Sequence, residues 1–258
     1  MAFAELSIAD HVATVRLNRP EALNAISGEV ANELAGAILQ AAATPEAWAV
    51  VLTAAGDRAF CVGADLKERN RLDDAGWLRN RILMRSLFES LRALPQPSIA
   101  SVFGHALGGG FELALSCDLI VAAEDALFGL PEVRVGIVPG GGGTQLLARA
   151  IGAARAKELI FTGRRITAVE ALDIGLVSRV VEREALEAST MELAREICRS
   201  SPAGVREAKR AIDRGWEVPL EVGIELEDLA WRRAVASEDR REGIAAFNDK
   251  RDPQWKGR

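Results

Sequence analysis

The sequence predicts an α/β fold that continues into a helical C-terminal region. Three observations carry this. Short apolar runs of strand length alternate with amphipathic helical segments over the first half of the chain. From Gly142 onward the apolar spacing is helical almost throughout. The composition shifts at Ser200-Ser201-Pro202, which predicts an α/β core over residues 1–200 and a helical region over 201–258.

The elements follow in order. Residues 3–8 and 12–17 alternate apolar and polar side chains around Ala9-Asp10, the pattern of a hairpin. Residues 27–43 place Val30, Leu34, Ala37 and Ile38 at helical spacing, with Ser27 as N-cap. Residues 48–53 form a short apolar strand. An amphipathic helix over 77–94 ends at Pro95-Gln-Pro97, since proline cannot continue a helix. Strands follow at 98–103 and 119–123. Alternation of this kind favours a parallel sheet. Beyond it, helices are predicted at 144–151, 153–161, 168–172, 183–199, 203–214 and 219–236, and a single strand at 175–181.

Composition narrows the function. About half of the 258 residues are apolar, and the formal net charge is −5, without the basic excess of a nucleic-acid binder. The three cysteines, Cys61, Cys117 and Cys198, are widely spaced and form no CxxC, which argues against a disulfide framework or a zinc site. No basic segment precedes an apolar stretch at the N-terminus, and no apolar run reaches the roughly 18 residues of a membrane span. The expectation is a soluble cytoplasmic protein, or one of an organellar matrix if a leader has been removed.

Three segments could carry chemistry. In GHALGGGFELALSCD (104–118), glycines lie between a strand and a helix and leave backbone N–H groups unshielded. Glu112 falls near the start of that helix. Tight packing with a favourable N-terminal charge and a donor site for an oxyanion both fit this segment. In AFCVGADLK (59–67), Gly63-Ala64 marks another strand-to-helix junction, with Asp65 as a cap for a short helix. In FGLPEVRVGIVPGGGGTQ (128–145), Pro131 opens a short helix with Glu132 in its first turn. The Lys-[Ser/Thr] of a phosphate-binding P-loop is missing, and so is GxGxxG. With only His11 and His105 in the chain and no GxSxG, a nucleophilic triad and a metal site are both disfavoured. Two glutamates and two potential N–H donor sites, near Ala64 and Gly109, point to acid/base chemistry beside an oxyanion hole.

The ordered set LNRPEALNAI (17–26), AFCVGADLKE (59–68), GHALGGGFELALSCD (104–118), FGLPEVRVGIVPGGGGTQLLARAIG (128–152), LIFTGRRITAVEALDIGLVSRVV (159–181) and DRREGIAAFNDKR (239–251) resembles the crotonase (enoyl-CoA hydratase/isomerase) superfamily over nearly the whole chain. The resemblance implies a spiral of ββα units with a helical C-terminal region, and assembly into a homotrimer or a hexamer of two trimers. It implies an acyl-CoA thioester as substrate and no separate cofactor. It places the oxyanion N–H groups at Ala64 and Gly109. The backbone from Ala64 through Asp65, Leu66 and Lys67 would grip coenzyme A, and Gly140 would help to hold a catalytic water. Glu112 and Glu132 match the two hydratase glutamates.

Retention of both acids favours hydration of a 2-enoyl-CoA to a 3-hydroxyacyl-CoA, with Glu112 as base and Glu132 as acid. Many relatives carry a basic residue where this chain has Glu21, which puts phosphate contacts at that point in doubt. The segments GADLKER (63–69) and ELALSCD (112–118) are also similar to the methylglutaconyl-CoA hydratase branch, and so make that activity the alternative. RNA binding, a property of that branch, is disfavoured, because residues 27–46 carry Glu29, Glu33 and Glu46 and no lysine or arginine.

Overall fold

The computed structural model describes residues 2–258. Strands β1 (Ala4–Ala9) and β2 (Val12–Leu17) form the hairpin, with Asp10 and His11 at positive φ in its turn. Helix α1 (Gly28–Ala43) begins where Ser27 Oγ accepts the Val30 N–H at 3.2 Å. It buries Val30, Leu34, Ile38 and Ala41, three or four residues apart, as an amphipathic helix must. Strand β3 (Ala49–Ala54) is buried at five of its six positions. A one-turn helix, α2 (Leu66–Arg69), is capped by Asp65. Helix α3 (Asp74–Arg92) starts three residues earlier than the apolar spacing indicates, because Asp73 caps it by accepting the Gly76 N–H at 2.7 Å.

Strand β4 (Ser98–Val102) is buried at every position, so both of its faces are covered. The chain then runs through β5 (His105–Leu107), α4 (Gly109–Leu115), β6 (Leu119–Ala123) and β7 (Leu127–Gly129). Helices α5 (Gly143–Ile151) and α6 (Ala153–Thr162) follow, then β8 (Ile166–Thr167), α7 (Ala168–Asp173) and β9 (Arg179–Val181). Four helices complete the chain: α8 (Leu186–Cys198), α9 (Pro202–Gly215), α10 (Leu220–Ala236) and α11 (Glu238–Asp249).

The strands form two sheets. The larger has the order β1-β2-β3-β4-β6-β9 and is parallel apart from the β1-β2 hairpin. The smaller has the order β5-β7-β8. Helix α8 packs on β2, β3, β4 and β6, and its buried Thr190 shares a 3.0 Å hydrogen bond with Ser101 of β4. Helix α1 packs on β1, β2 and α3.

The structure differs from the sequence expectation at the smallest elements. Strands β5, β7 and β8 span three residues or fewer, too short for a period of two to register. The strand expected over 175–181 is confined to its last three residues, because 174–178 turn out of α7. Helix α11 is additional. Its N-terminus is held by Asp239, a fully buried carboxylate that accepts from Ser201 Oγ and from the N–H groups of Ala203, Lys256 and Gly257. No helix among the described residues is long and apolar enough to cross a membrane.

Candidate active site

Beyond the C-terminal ends of β5 and β7 a cavity of about 650 Å³ opens. Its walls come from the 62–69 segment, the N-terminus of α4, one face of α3 and the 131–141 segment. Local sequence dictates the first wall. Arg19 Nη1 donates to Asp65 Oδ2 at 2.9 Å and to the Ala25 carbonyl. Buried Asn24 bridges to the carbonyls of Ala55 and Ala59. The LNRPEALNA segment thus fastens the loop that leads to Ala64. Asp65 also accepts from the N–H groups of Lys67 and Glu68, so its carboxylate is held below the ordinary value by these donors and Arg19, although partial burial works the other way.

The second wall depends on close backbone approach. A Cβ on Gly110 would stand 2.0 Å from the Cys61 carbonyl oxygen, and one on Gly63 would stand 2.9 Å from the Gly109 nitrogen. Only glycine permits either contact. As a result the Ala64 nitrogen lies 3.7 Å from where a Gly109 Cβ would be. Neither the Ala64 N–H nor the Gly109 N–H has an acceptor among the described residues. Two unengaged donors therefore converge on the cavity, the arrangement that suits a developing oxyanion.

Glu112, one turn into α4, is 3% exposed. Its Oε1 accepts the N–H of Gly141 at 2.7 Å and of Gly143 at 2.8 Å. Burial raises its carboxyl above the usual range, while the N–H groups of Gly143, Gly141, Gly140 and Gly142 oppose this. The glycine run is turned inward by helix α3. Arg81 takes the Gly140 carbonyl, and Arg92 takes the Gly141 carbonyl at 2.8 Å. The carbonyls are fixed to arginines, and the N–H groups face the carboxylate.

Glu132 is different. It lies in a 3-10 turn, Glu132–Val135, and its Oε2 is buried with no hydrogen-bond partner. Its Oε1 lies 3.1 Å from where a Gly108 Cβ would be, which sets it against the glycines before α4. Burial pushes its carboxyl up to about 7. Its own N–H opposes the rise, the Glu112 charge adds to it, and Arg69 opposes it. One cavity thus holds a carboxylate with dedicated donors and a carboxyl that stays protonated to near neutrality. That pairing suits a base and an acid.

Of the residues singled out in the sequence, Ala64, Leu66, Gly109, Glu112, Glu132 and Gly140 line the cavity. Asp65 and Lys67 do not. The Asp65 side chain caps α2, its N–H donates to the Ile26 carbonyl, and Lys67 is exposed. Burial pushes the Cys61 thiol up to about 12 and raises Cys117 as well, so both are inert as nucleophiles. The sequence reading missed Arg69 and the α3 face made by Trp77, Asn80, Arg81, Met84 and Phe88. Their spacing of three and four residues is the available signal, with Asn80 and Arg81 set between the apolar Trp77, Met84 and Phe88.

The family described as enoyl-CoA hydratase/isomerase matches residues 7–258. The Bacillus subtilis protein YngF is 46% identical over 248 residues, covering 96% of this chain and 95% of that one. A short-chain-enoyl-CoA hydratase of Clostridium acetobutylicum is 41% identical over 240 residues, covering 93% and 92%. The crystal structure of an enoyl-CoA hydratase from Bacillus anthracis superposes with a TM-score of 0.96 at 43% identity, covering 99% of this chain and all of that one.

Proposed function

The chain belongs to the enoyl-CoA hydratase/isomerase family, and from that premise we propose that it adds water to a 2-enoyl-CoA to give a 3-hydroxyacyl-CoA in acyl-CoA catabolism. The observation that supports hydration most is the presence of both Glu112 and Glu132 in one cavity, beside the unengaged N–H groups of Ala64 and Gly109. In this reading the thioester oxygen sits between those two donors. Glu112 takes a proton from water as the water oxygen bonds to C3. The C2–C3 π pair moves toward the thioester oxygen, and each donor contributes about 3 kcal/mol to the enolate-like state. Glu132 then delivers its proton to C2. Proton exchange from Glu112 back to Glu132 resets the pair.

We infer the assembly from the C-terminal helices. Trp216, Leu220, Trp231 and Phe247 are each more than 60% exposed on α9–α11 or just beyond. Apolar surface of this kind fits a homotrimer, or two such trimers, in which these helices are covered. The experiment for the activity is direct. Crotonyl-CoA mixed with the protein loses its conjugated thioester absorbance as 3-hydroxybutyryl-CoA forms. Absence of turnover with every 2-enoyl-CoA tried, from four to ten carbons, sinks the hydratase reading.

A further inference from the structure

Three successive peptide groups of the glycine run are held from both sides. The Gly141 N–H, which Glu112 Oε1 accepts at 2.7 Å, shares a planar trans peptide with the Gly140 carbonyl, and Arg81 donates to that carbonyl. The Gly142 N–H, which also faces Glu112, shares a peptide with the Gly141 carbonyl, and that carbonyl accepts from Arg92 Nη1 at 2.8 Å. The Gly143 N–H, 2.8 Å from Glu112 Oε1, shares a peptide with the Gly142 carbonyl. This carbonyl accepts from the N–H groups of Gln145 and Leu146 in the first turn of α5. A trans peptide points its N–H and its C=O in opposite directions, so a donor fixed on the carbonyl fixes where the N–H points. Helix α5 holds the third peptide by backbone alone, whereas the first two are held by side chains.

Glycine makes these side-chain holds necessary. The run Gly140–Gly143 has no Cβ to restrict its rotation, and Gly142 stands at φ +125, which glycine adopts freely. Arg81 and Arg92 are about three turns apart on α3 and so stand on one face of it. Both residues are exposed, and ordering an exposed arginine costs side-chain entropy. Here two are ordered on neighbouring carbonyls, while Glu89 of the same helix pairs with Arg85. The charged groups whose fields reach Glu112 are Arg69 on α2, Arg92 on α3 and Glu132 on its turn. Of the other elements packed on α4, β4 has no titratable side chain, β5 has only His105, and Arg149 of α5 is taken by Glu217.

We propose that Arg81 and Arg92 are positioning residues for the base: by holding the Gly140 and Gly141 carbonyls they keep the N–H groups of the glycine run on Glu112, and so keep that carboxylate ionised and ready to take a proton from water. The proposal rests on the hydratase reading for the reaction but not for the state of Glu112. That state is therefore read first, without substrate. Infrared difference spectra between acid and neutral pH contain the carboxyl stretch of Glu112, identified by its loss in Glu112→Gln. Its midpoint is expected to rise by about one pH unit in Arg81→Leu, which frees the peptide of the 2.7 Å donor, and by about half a unit in Arg92→Leu. Arg81→Lys and Arg92→Lys, which keep a donor, are expected to bring the midpoint back toward the parent. A base must be ionised to act, so the rising limb of kcat/KM for crotonyl-CoA is expected to move up in pH by the same amounts, with the loss in kcat rather than KM.

A midpoint that stays at the parent value in both leucine variants overturns the proposal. So does a shift that disappears in about 1 M salt, where the Debye length is about 3 Å, because it then comes from the lost charge and not from a turned peptide. A loss of activity that is equal at every pH, with the midpoint unmoved, overturns it as well and leaves the two arginines a purely structural role. If Arg92→Leu does not fold, Arg81→Leu decides. An unmoved midpoint in a protein that hydrates crotonyl-CoA overturns this proposal alone. The expected shift in a protein that turns over no enoyl-CoA sinks the hydratase reading alone.

Discussion

Glu112 stands on helix α4 with its Oε1 held by two N–H groups of the glycine run, whereas Glu132 stands on a 3-10 turn with its Oε2 unpartnered. The two carboxyls share a cavity and share the cost of burial, yet their walls are built in opposite ways. The Glu112 wall is tight. A Cβ on Gly141 would lie 2.5 Å from the Phe88 ring. The Glu132 wall is open. Gly136 ends its turn at φ +77, and a Cβ added there would have nothing within 4 Å. Burial raises both carboxyls, and Glu112 has the N–H groups of the glycine run to oppose the rise where Glu132 has only its own. The difference teaches that backbone donors can set two identical side chains apart, and it is the basis on which we propose Glu112 as base and Glu132 as acid.

The sharpest way to break this comparison is to remove each acid. Glu112→Gln and Glu132→Gln are each expected to lower kcat for crotonyl-CoA by about 10²–10⁴. The residual activities should differ in their pH profiles. With Glu132 as the acid, kcat/KM falls as pH rises through about 7. That limb should persist in Glu112→Gln and vanish in Glu132→Gln. A limb that survives in Glu132→Gln reverses the assignment.

Next in size is the contrast between the two walls. Gly141→Ala pushes into Phe88 and is expected to destabilise by about 1–3 kcal/mol, with a further loss of activity as the N–H at Glu112 shifts. Gly136→Ala meets open space and bears only the left-handed backbone penalty of about 1–2 kcal/mol, with activity largely kept. Urea unfolding together with steady-state rates measures both. Equal loss of activity in the two variants would erase the distinction between a tight wall and an open one.

The smallest effect is on stability. The folded-state pKa of Glu132 is raised, so the folded protein binds more protons than the unfolded chain between about 4.5 and about 7. The stability linked to Glu132 is therefore full below about 4.5 and is lost as pH rises through about 7. Glu132→Gln, which stays neutral, should melt about 2–4 °C above the parent at pH 8, and this advantage should disappear at pH 4.5. A melting difference that does not change with pH contradicts a carboxyl raised by burial.

The C-terminal helices carry a related lesson about legibility. Their helical spacing was evident, but α11 and its register depend on Asp239, which gathers donors from Ser201, Ala203, Lys256 and Gly257. Those contacts link residues 17–38 positions apart. No local window contains them. The same holds for β5, β7 and β8, which exist because a neighbouring strand supplies their hydrogen bonds.

By itself the sequence determined the hairpin, the caps at Ser27 and Asp65, the main parallel strands, most of the helices and the two candidate glutamates. Each of these is written in local spacing or in residue type, because capping, turn geometry and amphipathic burial act within a few residues. The tertiary structure alone decided what those groups meet. It brought the N–H groups of Ala64 and Gly109 together, turned the glycine run onto a glutamate 29 and 31 residues away, and left Glu132 Oε2 and Arg69 Nε buried without partners. Backbone donors carry no side-chain signature. Whether a donor, a guanidinium or a carboxyl is engaged or free depends on atoms that folding brings from distant parts of the chain.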